Sequence, residues 1–253
     1  MTSTDTRADS QLATDLAEQA GRLLLRLQSS AGLSGKQLGE RGDADSNALL
    51  LRELAAARPH DAVLSEESAD SPARLSAERV WIIDPLDGTR EYGMPGRTDW
   101  AVHVALWQRG AAPPAITAAA VAQPALDAVY ASHDRPVAPV HDGLVFLVSD
   151  SRPPYFAQPV ADALGARLAP MGSAGAKAMA VLRGDADAYL HAGGQWEWDS
   201  AAPVGVATAA GLHASRIDGS PLEYNLPHPY LPDLLVCRAD LARPILAAIA
   251  AAL

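Results

Sequence analysis

The sequence predicts a layered fold in which helices pack against mixed β-sheets. Segments with helical spacing alternate with short apolar segments typical of strands, but their order does not follow a regular strand–helix–strand repeat. The chain has 253 residues, of which 49% are hydrophobic and 20% charged. That size and balance indicate one large globular domain or two tightly packed ones, and the Pro-containing segment 136–143 is the best linker candidate.

Helices are predicted where apolar residues recur every three or four positions. In the first helix, Leu12, Leu16 and Ala20 fall on one face. Pro59 ends the second helix, and Pro244 starts or kinks the last. The predicted helices cover residues 11–30, 44–58, 155–165, 173–184, 197–211 and 241–253.

Strands are predicted where short apolar runs are bounded by Gly, Pro or acidic residues. The turn GAAPP at 110–114 joins two of these runs as an antiparallel pair. The predicted strands cover residues 61–68, 79–84, 99–110, 115–132, 143–151, 186–192 and 232–238. The first two strands each run directly into acidic residues, which makes their ends candidates for a functional site.

Composition excludes several classes of protein. The net charge of −10 argues against a nucleic-acid binder, because phosphate contacts need a basic surface. No apolar run is long enough for a transmembrane helix, and the N-terminus does not resemble a secretory signal, so we expect a cytoplasmic protein. Cys237 is the single cysteine, which excludes an internal disulfide and a cysteine-based metal cluster, and its apolar surroundings indicate a buried thiol.

Acidic residues stand at three places where a buried element meets a loop. Glu66 and Glu67 follow one strand, Asp84 and Asp87 end the next, and Asp199 opens a helix. Two unit charges about 4 Å apart repel by roughly 4 kcal/mol at an effective dielectric near 20, so convergence of these acids would need cations. Oxygen ligands without His or Cys select hard ions, Mg²⁺ before Zn²⁺. Taken singly, Asp84 is also typical of a turn and Asp199 of a helix cap.

Three motifs, in the family order, resemble those of the inositol monophosphatase superfamily of magnesium-dependent, lithium-sensitive phosphatases. WIIDPLDGT at 81–89 resembles the D-P-[ILM]-D-G-T signature, and WEWDSAAP at 196–203 resembles the W-D-x-A signature. LSEES at 64–68 resembles the G-E-E segment, with Ser65 in place of Gly. The resemblance extends over nearly the whole chain and implies a layered αβαβα sandwich. It also implies an N-terminal α+β part, 1–137, a C-terminal α/β part, 138–253, and a site between them.

The resemblance assigns roles to the acidic residues. Two or three Mg²⁺ ions are expected to bind the metal ligands Glu66, Asp84, Asp87, Asp199 and the backbone carbonyl of Leu86. The metals would activate a water for direct in-line hydrolysis of a phosphate monoester. Residues near the phosphate are expected to be Asp87, Gly88, Thr89, Arg90, Ser173, Lys177 and Asp199.

The water-activating group is the least defined part of the predicted site. Thr89 resembles the threonine that orients the attacking water, although a turn-stabilising hydroxyl is an equal interpretation from sequence. Its usual acidic partner follows a T-x-x-D pattern that this chain lacks. Asp43 and Asp45 both compete for that place, and Asp43 is preferred, with a helix N-cap as its alternative. Glu67, beside the metal ligand Glu66, is predicted to be catalytic.

The substrate is predicted from a fourth segment, GSAGAK at 172–177. It resembles the G-[SG]-[SA]-x-x-K segment of 3′(2′),5′-bisphosphate nucleotidases, and DGSPLEYN at 218–225 is typical of those of the sulfur-assimilation type. Ser173 and Lys177 would then grip a second phosphate or the ribose, with Arg90 and Arg97 as further cations, while a solvated helix charge is the alternative for Lys177.

The function predicted on this basis is removal of the 3′-phosphate from 3′-phosphoadenosine 5′-phosphate, and from its sulfated analogue. An inositol monophosphatase or fructose 1,6-bisphosphatase with the same metals is the alternative, and a non-catalytic metal-binding relative is less favoured. The expected partner is a small-molecule phosphate monoester, and the resemblance implies a homodimer as an expectation.

Overall fold

A computed structural model describes residues 3–30, 32–132 and 142–253. These residues form five layers, helix–sheet–helix–sheet–helix, which confirms the predicted αβαβα sandwich. The helices are α1 Ser3–Ser30, α2 Gly35–Ala57, α3 Thr89–Tyr92, α4 Ala157–Leu164, α5 Ala174–Leu182, α6 Glu197–Ala209 and α7 Ala242–Ala252. The strands are β1 Ala62–Ser65, β2 Arg79–Asp87, β3 Ala101–Gln108, β4 Ile116–Gln123, β5 Ala128–Ala131, β6 Leu144–Ser149, β7 Ala166–Met171, β8 Ala188–Trp196, β9 His213–Ser215 and β10 Tyr230–Cys237.

The first sheet is buried on both faces. Its strands lie in the order β1-β2-β3-β4-β5, with β1 parallel to β2 and the other neighbours antiparallel. In β2, Trp81 and Ile83 pack against α1 and α2, whereas Val80 and Ile82 pack toward α5 and α6. Because successive strand residues point to opposite faces, a strand covered on both sides is apolar throughout. This double burial explains the unbroken apolar run that precedes Asp84.

A β-bulge at the end of β2 positions two of the predicted metal ligands. Asp84 pairs with His103 and Asp87 with Ala101, so β2 contains one extra residue between these two pairs. In a regular strand, residues three apart point to opposite faces. The extra residue places Asp84 and Asp87 on the same face as Ile82, toward the middle helical layer.

The second sheet has the order β7-β6-β8-β10-β9, and sequence patterns missed both of its edge strands. In β7, Arg167 and Pro170 interrupt the apolar pattern, which an edge strand tolerates because one side of its backbone makes no ladder bonds. The strand β9 has three residues, too few for a pattern to show. On this sheet Cys237 is buried against α7, as predicted.

Helix α2 begins at Gly35, earlier than the predicted start at residue 44. Gly39 and Gly42 weaken a helical pattern, but both lie where α2 packs against the turn after β2. A Cβ on Gly39 would lie 2.6 Å from Thr89 Cγ2, and one on Gly42 would lie 2.9 Å from Leu86 Cδ2. Asp43 therefore lies inside the helix, and its interpretation as an N-cap is wrong.

The middle layer ties the two predicted parts of the chain together. Helices α5 and α6 come from the second part, yet α6 packs on β2, β3 and β4 of the first sheet. The core between the sheets accordingly combines residues from both parts. The division at 137/138 stays a prediction, since segment 133–141 is outside the described residues. No helix in the described ranges is long and apolar enough to cross a membrane.

Ser46 fixes the bulge to α2. Its buried hydroxyl donates to the Pro85 carbonyl at 2.7 Å. We expect Ser46→Ala to lower the free energy of unfolding by about 1–3 kcal/mol, because it leaves a buried carbonyl without its donor. Urea unfolding measures this, and the exposed Ser76→Ala, whose hydroxyl donates to the Ala73 carbonyl, is the control. Equal losses in the two variants would contradict the role given to Ser46.

Candidate active site

A cleft of about 290 Å³ opens where the middle layer meets the ends of β2, β6 and β8. Its wall includes the turn after β2, the loop after β6 and the starts of α5 and α6. The predicted residues that line it are Asp87, Gly88, Thr89, Arg90, Ser173, Lys177 and Asp199. Four segments that are distant in sequence thus meet at one concave surface. The loop after β6 carries no predicted site residue, and the predicted catalytic and metal-binding residues that do not line the cleft are Asp43, Glu66, Glu67, Asp84 and Leu86.

Three carboxylates converge at the floor of this cleft. Asp84, Asp87 and Asp199 each offer an oxygen atom, and these atoms all lie within 4.8 Å of one another. The bulge in β2 supplies the first two. Asp199 lies in the first turn of α6, where its Oδ2 accepts a hydrogen bond from the Trp196 backbone N at 2.5 Å. The cap interpretation and the metal-ligand interpretation of Asp199 are therefore compatible.

The cluster carries more negative charge than its surroundings balance. Burial, and then the charge of Glu66, hold the pKa of Asp84 well above its usual range. Burial and the charge of Asp87 raise the pKa of Asp199 to about 6. Asp84 Oδ2 is buried and has no hydrogen-bond partner. Hard divalent cations bind carboxylate oxygens. Three acids converge here and one of their buried oxygens is unpaired, so these residues fit Mg²⁺.

The other predicted metal ligands border the cluster. Glu66 is exposed, does not line the cleft and is not one of the three convergent acids. Partial loss of hydration, and then the charges of Asp199 and Asp87, raise the pKa of its carboxyl to about 8. Leu86 is buried, and its carbonyl accepts a hydrogen bond from Thr89 Oγ1 at 3.0 Å.

Asp43, which the sequence favours over Asp45, lies beside Thr89. Asp43 Oδ1 is 3.4 Å from Thr89 Oγ1. Burial and the nearby charge of the exposed Glu67 raise the pKa of Asp43 to about 7. Asp45, the competing candidate, is paired instead with Arg41 at 2.6 Å. The close approach of α2 through its glycines brings Asp43 to this position.

Asp87 also receives donors from two other segments. Its Oδ2 accepts hydrogen bonds from Ser173 Oγ at 2.5 Å and from the Gly175 backbone N at 2.8 Å. His103 Nε2 lies 3.2 Å from the same oxygen. Burial opposes ionisation, but the charge of His103 and these hydrogen bonds lower the pKa of Asp87 to about 2. This carboxylate is therefore ionised under all ordinary conditions.

Sequence reasoning assigned no role to His103, which the structure places against the cluster. The ring is fully buried, and its Nδ1 lies 3.0 Å from the Trp198 carbonyl. The Trp198 carbonyl needs a donor, so Nδ1 carries a proton, whereas Nε2 lies near Asp87 without a hydrogen bond to it. Burial opposes a positive charge on the ring, but the charge of Asp87 outweighs it and raises the pKa of His103. The available sequence signal was a lone polar residue in the apolar run of β3.

Lys177 is not a solvated helix charge. It is 4% exposed, and its Nζ donates to the carbonyls of Met171, Gly172 and Ser173 at 3.2, 3.0 and 2.7 Å. Burial lowers the pKa of Lys177 to about 8. Lys177 therefore holds the turn at residues 171–173, from which Ser173 donates to Asp87. Although buried, Lys177 lines the cleft.

The two predicted arginines are engaged in ion pairs. Arg90 contacts Glu91 at 2.7 Å and Asp150 at 2.9 Å. Arg97 contacts Asp99 at 2.5 Å and Asp150 at 3.5 Å. Both guanidinium groups thus connect the turn after β2 to the loop after β6.

Comparisons with known proteins identify the family of the chain. The model of the inositol monophosphatase family matches residues 1–252. The chain is 57% identical, over 238 residues, to the 3′-phosphoadenosine 5′-phosphate phosphatase of Mycobacterium bovis, a match covering 91% of this chain and 89% of the relative. It is 56% identical, over 249 residues, to the enzyme of the same name from Mycobacterium leprae, covering 94% and 92%.

A solved structure supports the fold. The inositol monophosphatase of Anabaena superimposes with a TM-score of 0.77 at 22% identity, over 98% of this chain and 97% of that one. The chain belongs to the inositol monophosphatase family. Within that family it is a phosphatase, that is, a phosphoric monoester hydrolase. Its 56–57% identical relatives are named phosphatases, and the matches cover nearly their whole length.

The crowded cluster predicts an unusual pH dependence for the metal-free protein. Acids whose pKa is raised by folding bind more protons in the native than in the unfolded state. The free energy of unfolding should therefore fall as pH rises from about 4, the unfolded value, through about 6 for Asp199 and about 8 for Glu66. Added Mg²⁺ should reverse the loss. Urea unfolding in a chelating buffer at several pH values measures both effects.

Asp84→Asn tests whether the cluster causes this dependence. Near neutral pH without metal it should stabilise the protein by roughly 1–4 kcal/mol, the upper end being the repulsion of two unit charges about 4 Å apart. The exposed Asp15→Asn on α1 is the matched control, expected within about 0.5 kcal/mol of wild type. A destabilised Asp84→Asn protein would show that the carboxylate is compensated without a metal.

Proposed function

We propose that this chain is a magnesium-dependent 3′(2′),5′-bisphosphate nucleotidase. Its reaction would be hydrolysis of 3′-phosphoadenosine 5′-phosphate, and of the sulfated analogue, at the 3′-phosphate. The observation that carries the proposal is the group of three convergent carboxylates, with an unpaired buried Asp84 oxygen, at the floor of a cleft. The names of the mycobacterial relatives support the choice of a nucleotide bisphosphate over other phosphate monoesters.

The proposed metal ligands are the three clustered aspartates, the exposed residue Glu66 and the backbone carbonyl of Leu86. When bound, Mg²⁺ would neutralise the cluster, polarise the scissile phosphate and lower the pKa of a bound water. Asp84 offers its unpaired Oδ2. Asp87 is held by hydrogen bonds from Ser173 and Gly175, and one of its oxygen atoms lies within 4.8 Å of oxygen atoms of Asp84 and Asp199.

Asp43, Thr89 and Glu67 are proposed to act on the attacking water. The Thr89 hydroxyl lies within reach of two acceptors, the Leu86 carbonyl at 3.0 Å and Asp43 Oδ1 at 3.4 Å. It would orient the water while Asp43 takes up a proton. A pKa near 7 suits Asp43 for that task, because a general base works best when its pKa is close to the operating pH. Glu67 contributes by its charge, which helps to raise that pKa.

The scissile phosphate would lie over the turn that follows β2. Gly88 adopts φ +87°, and a Cβ there would be 3.1 Å from the Asp99 carbonyl and 3.2 Å from Ser173 Cβ. The turn can therefore approach α5 closely, and Gly88 and Thr89 both line the cleft. Ser173, Lys177 and Arg90 would bring hydroxyl and positive charge to the substrate side of the cleft.

The decisive experiment measures kcat/KM for phosphate release at fixed Mg²⁺ from three substrates. We expect 3′-phosphoadenosine 5′-phosphate to be preferred over inositol 1-phosphate and fructose 1,6-bisphosphate. Asp87→Asn should abolish turnover while the protein stays folded, and the exposed Asp15→Asn should retain it. Near-normal turnover by a folded Asp87→Asn protein would refute the metal-site mechanism, and a preference for either other substrate would transfer the function to that class.

The pair of Asp43 and Thr89 predicts non-additive kinetics. Asp43→Ala and Thr89→Ala should each lower kcat by about 100-fold or more with little change in KM, since they act on water rather than on substrate. The double variant should be barely worse than either single one, because the residues act as a unit. Asp45→Ala, which removes only an exposed ion pair, is the matched control. A large kcat loss in that control with a mild Asp43→Ala would reassign the base.

A further inference from the structure

The proposed substrate carries two phosphates, and the enzyme must recognise the one that it does not cleave. Lys177, Arg90 and Arg97 were the sequence candidates for this task. In the structure the Lys177 ammonium makes three hydrogen bonds to carbonyls. Arg90 and Arg97 share Asp150 and are further neutralised by Glu91 and Asp99. A phosphate would have to displace existing partners to gain a direct bond from any of the three.

Arg152 is a cation of a different kind. It lies in the loop after β6, lines the cleft and is exposed. Within the described residues, no carboxylate lies at ion-pair distance from its guanidinium, and no hydrogen bond of that group is recorded. Sequence reasoning overlooked it because it stands in none of the motifs.

The loop that carries Arg152 is nevertheless fixed at several points. The Arg152 backbone N donates to Ser149 Oγ at 3.2 Å, and the Asp150 backbone N donates to the Met171 carbonyl at 3.2 Å. The Asp150 carboxylate is held by Arg90 and Arg97. The paired arginines therefore anchor the loop, and the unpaired arginine is presented to the cleft by it.

The same part of the cleft wall contains buried polar groups without partners. Gln195 is 7% exposed and His191 is 5% exposed, and both line the cleft. Neither amide atom of Gln195, nor Nδ1 of His191, has a hydrogen-bond partner. Unpaired buried polar atoms are costly unless a ligand or water satisfies them. Positive charge also reaches this wall, since burial and then the charges of Lys177 and Arg152 lower the pKa of His191.

We propose that Arg152 binds the uncleaved 5′-phosphate, and that Gln195 and His191 meet polar atoms of the nucleoside beside it. This inference rests on the proposed nucleotidase function and names the residue that selects a bisphosphate. A guanidinium offers paired N–H donors that match phosphate oxygens, and an unpaired one gains a bond without losing another. Lys177 then acts as a positioning residue that holds the turn of Ser173.

The test compares two substrates that differ only in the uncleaved group, 3′-phosphoadenosine 5′-phosphate and adenosine 3′-monophosphate. Arg152→Met should lower kcat/KM for the bisphosphate by about 10- to 100-fold, the range expected for a charge-assisted hydrogen bond, and much less for the monophosphate. Arg152→Lys should recover part of the loss. Inhibition by adenosine 5′-monophosphate, which keeps the recognised phosphate, should weaken by a similar factor.

Two further variants separate binding from positioning. Arg167→Met removes an exposed arginine of β7 that does not line the cleft, and it should leave both substrates unaffected. Lys177→Met should lower kcat/KM for both substrates together, because it releases the turn that both share.

Each outcome has a separate meaning. If wild type releases no phosphate from either nucleotide, the proposed function fails. If wild type is active and Arg152→Met lowers kcat/KM equally for both substrates, or for neither, the inference about Arg152 fails while the proposed function stands. A loss confined to the bisphosphate in Lys177→Met, with Arg152→Met unaffected, would overturn the inference and make Lys177 the direct ligand.

Discussion

The Asp87 carboxylate is the constraint on which the rest of the site depends. One of its oxygens accepts donors from Ser173 and Gly175 at the start of α5 and lies against His103 of β3. The same side chain faces Asp84 and Asp199. It therefore joins the first sheet to the middle layer and also builds the acidic cluster. A Cβ on Gly175 would lie 2.1 Å from His103 Nε2, so this junction has no room for a larger residue.

The junction also explains how a stable fold tolerates three neighbouring acids. His103 lies 3.2 Å from Asp87, which raises the pKa of the imidazole and lowers that of the carboxylate, and the turn held by Lys177 supplies two hydrogen-bond donors to Asp87. Asp84 and Asp199 are left with raised pKa values and an unpaired oxygen. The charge of Asp87, which organises the structure, is thus partly balanced, and the charges of Asp84 and Asp199 are not. Asp87 therefore has a structural role and is also one of the three proposed metal ligands.

The positive side chains around the cleft divide in a similar way. Arg90 and Arg97 bridge the turn after β2 to the loop after β6 through Asp150, and Lys177 holds the turn before α5. These three cations assemble the cleft wall, whereas Arg152 makes no such bond within the described residues. Proximity to a phosphate motif therefore does not identify a phosphate ligand, because the ligand must also have hydrogen-bond donors to spare.

The sequence by itself determined the layered fold and the three acidic motifs, whereas it left Asp43 and Asp45 as competing partners for Thr89. These features are local, since apolar spacing and strand-end acids are legible within a few neighbouring residues. The tertiary structure alone decided that Asp43 lies inside α2, that His103 belongs to the site and that Lys177 is saturated by carbonyls. It also distinguished Arg152, which makes no ion pair within the described residues, from Arg90 and Arg97, which both pair with Asp150. The physical reason is that a side chain is free or engaged according to atoms contributed by distant segments, and local patterns carry no record of those partners.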